Sequence, residues 1–269
     1  VLGTSFFLGG LATASRRRNG GGACKEQDFN RGAALTNMTM LFLAASVLAM
    51  PSFLFQSPAV AAHGDEERSD LILNVSRYCS AYILCAYAAF LAFQLYTHAD
   101  GTRQEDREDE DAHLHPGVAL VLIFVTTCFV ALASRAVVGS MDGLMRAWGL
   151  SSAFVGMILL PIVGNACEHV GAVRMAMAEK LDITIGIAVG SSTQITLLVV
   201  PVAVLAGWAM GQPMDLNFGM LDSAVMTCAV IITFSTVSDG VSNWFEGYML
   251  MMAYAVTATL FWFIPLEFA

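Results

Sequence analysis

The chain has 269 residues, 57% of them hydrophobic and only 13% charged, with a mean hydropathy of +0.65. Soluble domains carry about a quarter charged residues, so this composition excludes an ordinary soluble enzyme and predicts an all-α, polytopic membrane helix bundle. The net charge of -9 arises largely from one acidic block, and the basic stripe that a nucleic-acid partner would need is missing.

A membrane-spanning helix takes roughly 17 to 25 apolar residues, and charge-free runs of about that length recur along the chain. Residues 1–11 read as the end of a helix that starts upstream, not as a cleavable leader. The next segment is polar and glycine-rich and carries Arg16, Arg17, Arg18, Lys25 and Arg31. Such an excess marks a cytoplasmic loop, with a lipid-headgroup contact as the other reading of the triple arginine. Residues 33–55 then cross to a lumenal loop with His63, Asp65, Glu66 and Glu67, and residues 71–96 return to His98. Between Asp100 and His115 lie Glu105, Asp106, Glu108, Asp109, Glu110 and Asp111, a charge run that by itself reads as a solvated loop.

Five further spans are expected at residues 116–134, 153–178, 182–210, 222–238 and 244–265. Pro116 suits a first helical turn, and Arg135, just past the end of its span, is expected at the far interface, where it can snorkel. Gly186 and Gly190 form a GxxxG spacing that reads either as a close helix crossing or as ordinary glycine in a membrane helix. The cysteines (Cys24, Cys79, Cys85, Cys128, Cys167 and Cys228) fall mostly inside the apolar runs without a CxxC pair, and read as free thiols.

The chemistry concentrates in PIVGNACEHVGAVRMAMAEKLDITIGIAVGSSTQITLLVVP, residues 161–201. On a continuous helix Asn165 and Glu168 share a face, with Pro161 and Gly164 loosening the backbone before them. On the next helix Ser191 and Gln194 share a face by the same spacing. The short charged turn from Glu179 to Asp182 makes the two helices antiparallel neighbours, so oxygens from both can converge, as a hard divalent cation requires. A bare carboxylate at the bilayer centre costs roughly 2.5 to 3.5 kcal/mol on insertion scales. Glu168 is therefore expected to hold a proton unless a cation offsets its charge, which makes ion and proton competitors for the same oxygens. The bland alternative is a hydrogen-bonded structural carboxylate. His169 lies about 100° round the helix from Glu168 and reads either as a proton-coupling partner or as a satisfied core histidine.

GNACEHVGAV followed by KLDITIGIAVGSSTQITLLVVP resembles the second signature repeat of the vacuolar cation/proton exchangers, the CAX-type Ca²⁺/H⁺ antiporters. The likeness extends to residues 213–219 and 239–247, and upstream to residues 1–11 and 75–98. It implies an inverted-repeat antiporter, with the rest of the first transmembrane repeat at residues 1–97, an acidic cytosolic linker at 98–115 that attracts or senses cations, and a complete second repeat at 116–269. It implies export of cytosolic Ca²⁺ into the vacuole against H⁺, in the vacuolar membrane. The cation shell would comprise Asn165, Glu168, Ser192 and Gln194, with Glu168 and His169 coupled to protons. The family's first half carries a matching acidic GNxxE element upstream of Val1, so this chain is expected to hold half the site and, alone, not to transport. The family usually has an acidic residue near Arg135.

No cofactor is expected: Ca²⁺ and H⁺ are cargo, with Mn²⁺ equally acceptable to oxygen ligands. Lipid is the expected partner, nucleic acid is not, and a homo-oligomer is left open. An intramembrane metallohydrolase built on Glu168 and His169 fails on ligand count, because His63, His98, His113 and His115 fall in loops and no HExxH spacing exists. The remaining alternative is a transport-inactive membrane binding or regulatory protein.

Overall fold

The computed structural model describes residues 1–18, 26–62, 64–97 and 115–264. Its helices are α1 (Leu2–Arg18), α2 (Arg31–Phe55), the short α3 (Pro58–Ala61), α4 (Asp65–Ala92, prolonged by a π-helical turn Phe93–Thr97) and α5 (Pro116–Trp148). They continue as α6 (Ser152–Gly164), α7 (Ala166–Met177), α8 (Leu181–Ala209), α9 (Met220–Val237) and α10 (Trp244–Trp262). Two-residue strands β1 (Gln27–Asp28) and β2 (Val241–Ser242) pair antiparallel. Among the described residues five helices (α2, α4, α5, α8 and α9) are long and apolar enough to cross a membrane, and α6 with α7 makes a sixth if the two form one broken span. The chain is a polytopic membrane helix bundle, as its composition requires.

Three boundaries differ from the sequence expectation. First, α1 continues to Arg18, because nothing before the following glycines breaks a helix. Second, α5 runs 33 residues and stops only where Gly149 turns left-handed at φ 64. At 1.5 Å per residue that is about 50 Å, so Arg135 sits inside the helix and not at its end. Third, the span expected at 153–178 is broken at Asn165 (φ -102, ψ 21). The side chains of Arg16, Arg17 and Arg18, as well as Lys25, His63, His98, His113 and the acidic block, lie outside the described residues.

The chain separates into two compact units, one of residues 1–97 and 166–254, the other of residues 98–165 and 255–269. In the first, α2 is central. Its start is tied to the end of α9, where Arg31 Nε donates to the Ser238 carbonyl at 2.7 Å. Its far end meets the start of α4, where Arg68 lies over the Phe55 ring at 3.6 Å and also donates to the Phe55 carbonyl. One face of α2 packs Met38, Leu41 and Ala45 with Val230 and Val237 of α9. Another packs Ala44 and Leu48 with Ile83, Tyr87 and Phe90 of α4 and with Leu197 and Val204 of α8.

Residues 26–31 knit one end of this unit together. Gln27, only 6% exposed, donates from Nε2 to the Gly9 and Ala176 carbonyls and to Thr13 Oγ1. The Asn30 amide donates to Asp182 Oδ1 at 2.6 Å, and the Asn30 side chain caps α2. The α10 entry is a reciprocal capping box: Asn243 Oδ1 accepts from the Phe245 and Glu246 amides while the Glu246 carboxylate accepts from the Asn243 amide and its Nδ2.

In the second unit Ser151 caps α6, and Phe154 meets Trp262 edge to face at 5.0 Å. No residue of α5 is buried. For a helix this apolar, outward-facing side chains are what a lipid solvent accepts.

Candidate functional site

The broken helix positions the first candidate ligand. Pro161 lacks an amide hydrogen, so the ladder is weakened one turn before Asn165. At the break the Asn165 amide and its Nδ2 both turn back to the Pro161 carbonyl, each at 3.0 Å. With Nδ2 engaged, Oδ1 is the side-chain atom left to meet a cation. The face-sharing argument for Asn165 and Glu168 assumed a continuous helix and stops at this break.

Glu168 follows in the first turn of α7, where the helix dipole favours negative charge. Its side chain is half-buried, and its Oε2 is buried with no hydrogen-bond partner among the described residues. His169 Nε2 stands 2.7 Å from Thr4 Oγ1 of α1.

The turn after α7 is tight: Glu179 is left-handed at φ 62, and the Lys180 amide reaches back to the Met175 carbonyl at 3.0 Å. It folds α8 back along α7, a hairpin fixed where Thr184 Oγ1 donates to the Ala172 carbonyl at 3.1 Å. A Cβ on Gly171 would stand 3.9 Å from Ile187 Cδ1, which continues the same antiparallel register. Counting one more turn sets Glu168 level with Gly190, immediately before Ser191.

Within α8 the polar tetrad Ser191–Gln194 is a single α-helical turn between two π-helical turns, Gly186–Gly190 and Ile195–Val199. Another π turn, Val155–Leu159, interrupts α6. π turns widen the helix and re-aim the residues beside them, and they recur at functional sites. Ser192 Oγ donates to the Ala188 carbonyl at 2.9 Å and Thr193 Oγ1 to the Val189 carbonyl at 2.8 Å. That leaves both hydroxyl oxygens able to accept or to ligate. Gln194 is exposed. The hairpin register therefore sets Glu168 close to the level of Ser191 and Ser192, while Asn165 belongs to the other compact unit.

Sequence reasoning missed Thr4 and the π turns. Gly156, Gly186 and Gly190 each lie in or at the edge of one, which was the available signal. No group of three or more His, Cys, Asp or Glu side chains able to hold a metal occurs among the described residues, so a cation here would rely on neutral oxygens around one carboxylate.

The sodium/calcium exchanger protein family matches residues 118–263, a stretch holding every candidate ligand. "Vacuolar cation/proton exchanger 2" of Oryza sativa subsp. japonica is 37% identical over 97% of this chain and 58% of its own length. "Vacuolar cation/proton exchanger 1" of Arabidopsis thaliana is 39% identical over 97% of this chain and 56% of its own. The chain thus spans less than two thirds of these relatives. The solved structure of native YfkE superposes with a TM-score of 0.74 at 31% identity, covering 98% of this chain and 70% of that one. On the family match, supported by this fold, the chain belongs to the sodium/calcium exchanger protein family.

Proposed function

We propose that the chain supplies one acidic half of a Ca²⁺/H⁺ exchange site in an antiporter of the vacuolar membrane. The carrying observation is the unpartnered, buried Oε2 of Glu168. The contrast with Glu246 is direct, because Asn243 gives that carboxylate two donors. An unsatisfied buried acid is stable either protonated or beside a cation, and alternation between those states is exchange. Ser192 Oγ and Gln194 Oε1, in the same compact unit as Glu168, add neutral oxygens, which suit Ca²⁺ and also admit Mn²⁺. His169, next in sequence, serves the proton side of the cycle. One carboxylate leaves a divalent ion with residual positive charge, so a second acid must face it from the matching half of the antiporter. The names of the relatives support cation/proton exchange and the vacuolar address, and the description of the family supports calcium as the cation.

The test is proton-gradient-driven ⁴⁵Ca²⁺ uptake into vacuolar vesicles of a host that lacks its own exchanger and expresses the whole open reading frame. Uptake abolished by a protonophore and by Glu168→Gln is expected. Uptake that persists without a pH gradient, or in Glu168→Gln at equal expression, overturns the reading.

A further inference from the structure

We propose that Thr4 is the positioning residue for His169, holding the imidazole by its Nε2 edge through a hydrogen bond between α1 and α7. This rests on the exchange reading for its consequence, but the bond itself is a structural fact with its own readout.

The contacts of α1 with α7 and with the turn after it advance in step along the two segments: Thr4 with His169, Gly9 with Ala176 and Thr13 with Glu179. The two helices therefore run side by side in the same direction. Their separation is set by glycine, since a Cβ on Gly9 would stand 2.9 Å from the Ala176 Cβ and 2.9 Å from its carbonyl oxygen. Gly10, about 100° further round α1, has a matching constraint, its Cβ falling 2.5 Å from the Trp244 amide nitrogen. Seated between α7 and α10 with no slack, α1 delivers the Thr4 hydroxyl to the ring at 2.7 Å.

The same hydroxyl donates to the Val1 carbonyl at 2.9 Å. That bond uses its one hydrogen, so while it stands the hydroxyl oxygen accepts from Nε2–H. Orientation is what the bond contributes: with Nε2 pinned to α1, the ring plane is fixed relative to the Glu168 peptide, and Nδ1 is the edge left for other partners. His169 is not an ion ligand on this reading. Loss of the hydroxyl should therefore slow turnover and leave apparent cation affinity nearly unchanged.

The experiment compares Thr4→Val, which keeps the shape and removes the hydroxyl, with Thr4→Ser, which keeps the hydroxyl. Thr4→Ala against Thr4→Ser serves if the valine variant fails to fold. One readout is ⁴⁵Ca²⁺ uptake by the whole open reading frame. Maximal rate should fall about three- to tenfold in Thr4→Val, as expected for one neutral hydrogen bond, with KM for Ca²⁺ within about twofold and rate recovered in Thr4→Ser. The other is the imidazole ¹⁵N spectrum of histidine-labelled protein in lipid, with the His169 signal assigned by its loss in His169→Gln. The Nε2 resonance should move in Thr4→Val and return in Thr4→Ser. An unmoved Nε2 resonance overturns the inference, whatever transport does. So does a serine variant no better than valine, or a rise in KM with no change in rate. Absence of proton-driven uptake in the wild type would instead sink the exchange reading, leaving the spectrum to decide the role of Thr4.

Discussion

Gly9 and Ala176 touch almost backbone to backbone, with space for no side chain between them: a Cβ on Gly9 would stand 3.0 Å from the Ala176 carbonyl carbon. This contact sets how far α1 lies from the helix that carries Glu168. Gly9→Leu should therefore displace α1 and disrupt both Thr4–His169 and Gln27, whose Nε2 donates to carbonyls on each side of the contact. Overpacking of this kind costs about 1 to 3 kcal/mol. A lower thermal unfolding midpoint in detergent, together with lost uptake, is expected. A midpoint equal to wild type would show that the helices are free to separate.

The two half-buried glutamates of the first unit should behave oppositely. Glu168→Gln removes an ionisable group whose Oε2 has no partner among the described residues, so exchange should vanish while the unfolding midpoint stays or rises. Glu246→Gln replaces one of the two accepting oxygens of a reciprocal helix cap by an amide nitrogen, so exchange should persist while stability drops by about 0.5 to 1.5 kcal/mol, the worth of one hydrogen bond. Uptake and thermal unfolding measured on both variants check the pair. A Glu168→Gln protein that fails to fold, or a Glu246→Gln protein that folds and does not exchange, would reverse the assignment.

How far the site was legible in the sequence can be traced residue by residue. Glu168 stood out because a carboxylate in an apolar run is expensive enough to need a reason. The α7–α8 hairpin followed from a turn too short and too charged to span anything. Spacing failed at Asn165, where the backbone leaves the helical region (φ -102, ψ 21) and a residue at a break no longer obeys a 3.6-residue period. It holds within Ser191–Gln194, a single α-helical turn, and fails only in the π turns on either side of it. A lone arginine after an apolar run marks an interface only where the helix ends with it, and in α5 neither Arg135 nor the glycines beyond, Gly139 and Gly143, ends the helix. Thr4 was invisible for a different reason: its importance comes from a partner 165 positions away, and no local pattern encodes that.

The hairpin itself offers a sharper check. Thr184 is fully buried, and its Oγ1 donates across to the Ala172 carbonyl at 3.1 Å while also lying 3.3 Å from the Lys180 carbonyl. Thr184→Val keeps the shape and deletes the donor, at an expected cost of about 0.5 to 1.5 kcal/mol. If the bond fixes the register that sets Glu168 level with Gly190, the variant should also take up Ca²⁺ with a higher KM. Thr184→Ser should restore both. A valine variant with unchanged KM and unfolding midpoint would show that the tight turn at Glu179 alone holds the register.

Asn165 carries the last prediction, because two roles meet in one side chain. Its Nδ2 answers the Pro161 carbonyl at 3.0 Å where the helix breaks, and on the sequence expectation its Oδ1 is a cation ligand. Replacement by leucine removes both while keeping the same branching of heavy atoms. Stability should fall by about 1 kcal/mol, the worth of one hydrogen bond, and KM for Ca²⁺ should rise tenfold or more as one oxygen leaves the shell. Serine is too short to span both functions, so Asn165→Ser should recover part of the stability through a bond back to Pro161 and little of the affinity. The outcome that separates the roles is the leucine variant measured at saturating Ca²⁺. A maximal rate near wild type with a raised KM identifies Asn165 as a ligand, whereas a lost rate with unchanged KM would mean that the break, and not the amide oxygen, is what exchange requires.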